Sequence, residues 1–148
     1  MCILVKTSNK SSGELQDLKL EDGKTVYEKV AELVSSWGEE LVGEYGYSSV
    51  SAVVGATYPE QLKILRSIMK SSYFLIPGYG AQGGKAEDIA LGFDENGLGG
   101  IVNASRSLMC AYKSDRWKDE FKDEEYAKAT RAEAIRMRDE LNQAIKIK

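Results

Sequence analysis

Tyr73-Phe74-Leu75-Ile76-Pro77-Gly78-Tyr79-Gly80-Ala81-Gln82-Gly83-Gly84-Lys85-Ala86-Glu87-Asp88-Ile89-Ala90 reads as a strand, a glycine turn and the start of a helix. The apolar run Tyr73 to Ile76 is too short for a helix of its own, and Pro77-Gly78 closes it. Ala86 to Phe93 follows as a short helix that ends near Asn96-Gly97. Three further runs have the same character: Cys2 to Val5, Ser51 to Val54, and Gly100 to Val102. Each is apolar on both faces, the pattern of strands buried on both sides in a parallel sheet.

Helical spacing fills the intervals. Val26, Val30, Val34, Trp37 and Leu41 form one apolar stripe after an Asp22-Gly23 turn. Leu62, Leu65 and Met69 form another, with Thr57 as the expected cap and Pro59 in the first turn. Ser105 to Tyr112 reads as a short helix. A long charged helix runs from about Glu124 to the end, with Ala127, Ala134, Met137, Leu141 and Ile145 on one side. The order β-α-β-α-β-α-β-α implies an α/β fold with a parallel sheet. An open doubly wound sheet and part of a (β/α)8 barrel both fit. A complete barrel needs roughly 250 residues, so a chain of 148 residues holds about half of one, or a small open sheet. The first strand starts at Cys2 with no lead-in, which suits a chain entering midway through a larger fold.

Composition narrows the chemistry. Lys plus Arg number 20, Asp plus Glu 23, and the net charge is −3. No basic stripe marks a nucleic-acid surface. No apolar run approaches the ~20 residues of a membrane span, and no signal peptide is expected. The chain has no histidine, so it carries no Ser-His-Asp triad, no Cys-His dyad and no histidine-bound metal. Cys2 and Cys110 lie far apart and read as free thiols of a cytoplasmic protein.

Ligands of parallel α/β folds bind beyond the carboxyl ends of the strands. Gly78-Tyr79-Gly80-Ala81-Gln82-Gly83 satisfies G-x-G-x-x-G between a strand and a helix. A dinucleotide site wants a carboxylate at the end of the next strand, which instead reads Ile101-Val102-Asn103. A P-loop ending at Gly84-Lys85 would need glycine where Tyr79 stands and Ser or Thr where Ala86 stands. Glycines here fit a backbone that approaches an anion closely, although a turn that only reverses the chain also accounts for them. Ser105-Arg106 opens the helix after the fourth strand, where free N–H groups and a guanidinium suit phosphate. Read alone, Arg106 is equally a surface arginine. If these two loops form one phosphate site, they match the loops after strands seven and eight of a barrel. Thr7-Ser8-Asn9 ends the first strand as a turn, or as hydrogen-bonding groups toward a base or sugar. Glu133, Arg136, Asp139, Glu140 and Lys146 read as the solvated side of the last helix.

Five segments together resemble orotidine 5′-monophosphate decarboxylase, in its longer bacterial subfamily. They are Val5-Lys6-Thr7-Ser8-Asn9, Leu15-Gln16-Asp17-Leu18, Val53-Val54-Gly55-Ala56-Thr57-Tyr58-Pro59-Glu60, Leu75 to Gly84, and Val102-Asn103-Ala104-Ser105-Arg106. The resemblance implies a (β/α)8 TIM barrel of which residues 1–148 are a single C-terminal half, strands five to eight with their helices and a long closing helix. It implies conversion of orotidine monophosphate to uridine monophosphate and CO2, in de novo pyrimidine synthesis, by a dimer that uses no metal or cofactor. Arg106 would then hold the 5′-phosphate. Gln82 would bridge phosphate and base, Gly83 would add a backbone N–H, Ser8 would meet the pyrimidine edge, and Pro77 would line the base pocket.

One departure qualifies that reading. The family's catalytic lysines and aspartates include an Asp-x-Lys-x-x-Asp element, and no strand of this chain carries one. Asp17-Leu18-Lys19-Leu20-Glu21-Asp22 has the spacing but falls in a connection, and it reads as coincidence. The expectation is a phosphate- and pyrimidine-binding half with no catalytic residue of its own, paired with a complementing half or with copies of itself. A non-catalytic, self-associating nucleotide-binding module is the alternative, and an NAD-binding domain a distant third.

Overall fold

Four runs too brief to make helices pair into one sheet in the computed structural model, which describes residues 1–80 and 84–146. The strands are β1 (Cys2–Lys6), β2 (Ser48–Val54), β3 (Ser72–Pro77) and β4 (Gly100–Asn103). They lie in the order β1-β2-β3-β4, and every neighbouring pair is parallel. Helices α1 (Gly13–Gln16) and α2 (Val26–Gly38) connect β1 to β2. Helix α3 (Pro59–Ile68) connects β2 to β3, and α4 (Ala86–Ala90) connects β3 to β4. After β4 come α5 (Ser105–Met109) and α6 (Tyr126–Lys146). No helix among the described residues is long and apolar enough to cross a membrane.

Register decides what each strand residue meets. Ile3, Ala52, Phe74 and Gly100 form one row across the sheet, and Leu4, Val53, Leu75 and Ile101 form the next. Ala52 and Phe74 of the first row are fully buried, with Val54 and Ile76 two residues further on. They pack against Ala31, Val34, Leu62, Leu65, Ile89 and Met137 of the helices. The second row has no such cover: Leu4 is 59% and Ile101 57% exposed. The strands were expected to be buried on both faces, yet within this chain the helices cover one. An apolar row on the opposite face is what a barrel interior requires.

The helices differ from their expected stripes in instructive ways. Thr25 caps α2 in a reciprocal box: Glu28 N–H donates to its hydroxyl, and Thr25 N–H donates to the Glu28 carboxylate at 2.7 Å. The face that α2 buries is Tyr27, Ala31, Val34 and Gly38, whereas Trp37 and Leu41 are half exposed. Gly38 explains the rotation. A Cβ there would stand 2.5 Å from Ser48 Oγ, so the helix meets the sheet along its smallest residues. In α3, Leu62 and Leu65 are buried as expected, with Met69 just beyond, but its cap position is Tyr58 without a side-chain bond. Thr57 instead donates to Ser8 O at 3.4 Å. In α6, Met137 is buried and Leu141 and Ile145 pack on the core, but Ala127 is exposed and Ala129 and Glu133 take its place.

At the amino ends of the strands, buried Arg66 forms a clamp. Its guanidinium donates to the carbonyls of Gly92, Met69, Ser72 and Gly99 at 2.8–3.0 Å and lies 3.6 Å from the Phe74 ring centroid. Burial lowers its pKa to about 10.

Candidate functional site

The carboxyl ends of the strands are laced together through backbone. Gly55 N–H donates to Lys6 O at 2.8 Å, and Ala56 N–H donates to Pro77 O at 3.0 Å. The loops after β1, β2 and β3 are thereby held side by side. Gly55 must be small, because a Cβ there would stand 2.8 Å from Ser8 N. Pro77 and Asn103 are register partners at the ends of β3 and β4. Just beyond them the chain turns at Gly78 and Gly80, both with positive φ.

Between these two ends lies a pocket of about 100 Å³ lined by Pro77, Gly78, Tyr79 and the run Asn103 to Arg106. Two residues singled out from sequence, Pro77 and Arg106, thus meet in one place. Arg106 is exposed and has no ion-pair partner among the described residues. The Ser105 hydroxyl donates to Asn103 Oδ1 at 3.1 Å. Helix α5 is only five residues long, so the guanidinium, rather than a helix dipole, supplies the positive charge. Ser8 stands at the same end of the sheet, after β1, two strands from β3. Gln82 and Gly83 lie outside the described residues.

Volume alone does not mark the site. A larger hollow of about 600 Å³ includes Arg66, Lys70, Asp94 and Glu95 at the opposite end of the sheet. Two of its charged groups are already engaged. Arg66 holds carbonyls, and Asp94 accepts from Tyr47, Asn96 N–H and Leu98 N–H. Burial, then the Asp94 partner, raises the Tyr47 phenol to about 12.

Two polar assemblies near the mouth escaped sequence reading. Buried Tyr79 donates its hydroxyl to Glu140 of α6. Arg136 donates to Glu140 and, through two nitrogens, to Glu133, each at 2.8 Å. Trp117 Nε1 donates to Glu133 at the same distance. The α6 charges are therefore a strut onto the glycine turn, not merely a solvated face. Burial and the hydrogen bond to Glu140 push the Tyr79 phenol up, while Tyr79 and Arg136 hold Glu140 below the usual carboxylate range. The second assembly is Lys6, which is 1% exposed and pairs with Asp17 at 2.7 Å. Arg136 stands at helical spacing from Glu133 and Glu140, but only the fold brings Tyr79 and Trp117 to those carboxylates and Asp17 to Lys6.

Comparison with known proteins places the chain beside one enzyme family. Over 139 residues, 94% of the chain, the sequence is 47% identical to an orotidine 5′-phosphate decarboxylase of Rhodopirellula baltica, of which it spans 46%. It is 54% identical over 112 residues to the decarboxylase of that name from Caldicellulosiruptor bescii, covering 76% of this chain and 36% of that one. The chain is a homologue of the orotidine 5′-phosphate decarboxylases. It spans about half the length of the curated relatives it matches. Its fold agrees. The OMP decarboxylase structure from Leishmania donovani matches 96% of this chain with 46% of its own, at a TM-score of 0.66 and 29% identity. Four parallel strands with their helices thus correspond to about half of a decarboxylase TIM barrel. No family model matches the chain.

Proposed function

We propose that this chain is the phosphate- and pyrimidine-binding half of an orotidine 5′-phosphate decarboxylase, strands five to eight of the barrel, acting in the cytoplasm on a nucleotide. The observation that carries this reading is the pocket that joins Pro77 to Arg106 between the ends of β3 and β4. An exposed guanidinium without an ion-pair partner among the described residues is available to a phosphate dianion, which it grips bidentately. The apolar Pro77 beside it offers a wall for a planar base. Ser8, Gln82 and Gly83 complete the set we assign to substrate.

The reaction explains why such a half binds without turning over. Loss of CO2 leaves a carbanion on the pyrimidine ring. A fixed ammonium must stabilise that charge and then donate a proton. Phosphate binding contributes remote energy that organises the substrate for this step. The buried ammonium at this mouth is Lys6, and it faces the helix layer. Lys6 is the register partner of buried Val54, and its Nζ lies 5.5 Å from the Tyr27 ring and 5.2 Å from the Tyr58 ring. It is placed to brace the loop, not to protonate a ligand on the open side.

The row Leu4, Val53, Leu75 and Ile101 supports a partner that covers the open face. We assign this to a complementing half-barrel, with a second copy of the chain as the alternative. Calorimetric titration with uridine monophosphate tests the reading. Binding, with no CO2 release from orotidine monophosphate by the chain alone, supports it. Absence of binding, or turnover by the unaccompanied chain, overturns it.

A further inference from the structure

The loop that presents Ser8 is held from behind by charge. Between Leu4 and Lys6 the pairing of β1 with β2 shifts register. A bulge of this kind re-aims a side chain, and here Val5 and Lys6 are buried in succession. Lys6 Nζ reaches Asp17 Oδ1 at 2.7 Å, between the Tyr27 and Tyr58 rings. Next to Asp17, Gln16 Oε1 accepts from Thr7 N–H at 3.1 Å. The Thr7 hydroxyl donates to Asn9 Oδ1 at 2.6 Å, and Asn9 Nδ2 donates to Ser11 Oγ at 2.8 Å. Gly13 leaves room for the carboxylate, since a Cβ there would stand 2.8 Å from Asp17 Oδ2. Both neighbours of Ser8 are therefore tied into the segment 7–17, with Lys6 and Asp17 as its base.

We propose that Lys6 and Asp17 are positioning residues that fix the Ser8 loop for recognition of the pyrimidine ring and leave the phosphate contacts alone. The inference rests on the reading that Ser8 meets the base. Its physical content is a division of labour. Ser8 is carried by the loop after β1, while Arg106 is carried by the segment after β4, three strands away in the sheet. Neutralising Asp17 leaves a buried ammonium without its counter-charge, so the loop it anchors must rearrange. Among the described residues no hydrogen bond or ion pair of Lys6 or Asp17 reaches the segment bearing Arg106.

The test compares two ligands with the 148-residue chain. Affinities for uridine monophosphate and for ribose 5-phosphate are measured in the native chain, in Asp17→Asn and in Lys6→Met. Both variants are expected to weaken uridine monophosphate about tenfold, the loss of one charge-assisted contact, and to hold ribose 5-phosphate within about twofold. A common fall for both ligands reports a general structural role and overturns the proposal, as does unchanged nucleotide affinity. If the native chain binds neither ligand, the proposed function fails. Amide exchange at Thr7, Ser8 and Asn9 then decides the inference. Exchange about tenfold faster in Asp17→Asn, with core amides of β2 and β3 unchanged, sustains it, and unchanged exchange overturns it.

Discussion

The Tyr79 hydroxyl donates to Glu140, joining the glycine turn after β3 to the middle of α6. The bond ends a relay through Arg136 and Glu133 to Trp117. Helix α6 otherwise meets the core through few apolar residues, chiefly Met137 with Leu141, Ala144 and Ile145 at the margin. Polar contact therefore carries part of its docking. Tyr79→Phe removes one charge-assisted hydrogen bond and keeps the ring. Urea denaturation should show a loss of about 1–2 kcal/mol, with Glu140→Gln giving a loss of similar size. The double variant should lose less than the sum, because the two groups form one contact.

The same relay sets a pH window. Hydrogen bonds from Tyr79 and Arg136 hold Glu140 low, and those from Arg136 and Trp117 hold Glu133 low against the effect of burial. A carboxyl depressed in the folded state stabilises the fold above its unfolded value, about 4.3. That contribution disappears as pH falls through the folded value. Tyr79 has the opposite sign. Its folded value is raised, so its contribution is complete below the phenol's ordinary value of about 10 and fades as pH rises beyond it. Thermal unfolding followed by Trp fluorescence should show a plateau between these limits. Glu140→Gln should flatten the acid limb, and Tyr79→Phe the alkaline one.

Arg66 makes a different kind of prediction. Four carbonyls accept from one buried guanidinium. Arg66→Met preserves much of the volume beside Phe74 but takes a donor from each of them. Among the described residues only Gly99 O and Met69 O keep a backbone donor outside the strand ladders, Phe74 N–H at 2.8 Å and Ser72 N–H at 3.3 Å. The expected cost is at least about 3 kcal/mol. The denaturation midpoint should fall further than for any α6 variant, while the pocket at the other end of the sheet is untouched in sequence.

Much of this architecture could be read from local pattern, and the misreadings share a cause. Short apolar runs flanked by Gly, Pro and Asn located all four strands, because burial and turn chemistry are written into neighbouring residues. Arg106 and the glycine loop could be placed together because each follows a strand, and Pro77 joined them through the family resemblance; the structure makes Pro77 and Asn103 register partners at the ends of adjacent strands. What stayed hidden depends on distant partners. Trp37 belongs to a helical stripe by spacing, but the contact of Gly38 with Ser48 turns it outward. Asp17 looked like an accidental match to a catalytic spacing with Lys19. It pairs instead with Lys6, while Lys19 donates to Gly23 O at 3.1 Å. Charges on α6 have the composition of a solvated surface, and only the position of Tyr79 reveals their use.

The uncovered row across the sheet predicts association. Leu4, Val53, Leu75 and Ile101 stand in register on the face away from the helices, and β1 and β4 each have one unpaired edge. Exposed apolar area of this kind, bounded by open strand edges, draws a partner. Sedimentation of the isolated chain should show oligomers at micromolar concentration. Ile101→Lys places a charge in the row at a residue already 57% exposed. It should shift the population toward monomer while changing the unfolding free energy by less than about 0.5 kcal/mol. A monomeric native chain at high concentration would contradict this.

Arg106→Ala separates the binding role of that residue from any structural one. The side chain is exposed and has no ion-pair partner among the described residues, so its removal leaves no buried group unsatisfied. Unfolding should stay within about 0.5 kcal/mol of the native chain. Binding should respond strongly, because a bidentate guanidinium–phosphate contact is among the stronger polar interactions. Uridine monophosphate and ribose 5-phosphate should both lose about 100-fold in affinity, roughly 2.7 kcal/mol by the usual conversion. Uridine, which lacks the phosphate, should be unaffected. Lys in place of Arg106 should recover only part of the loss, since an ammonium keeps the charge but not the two-pronged geometry.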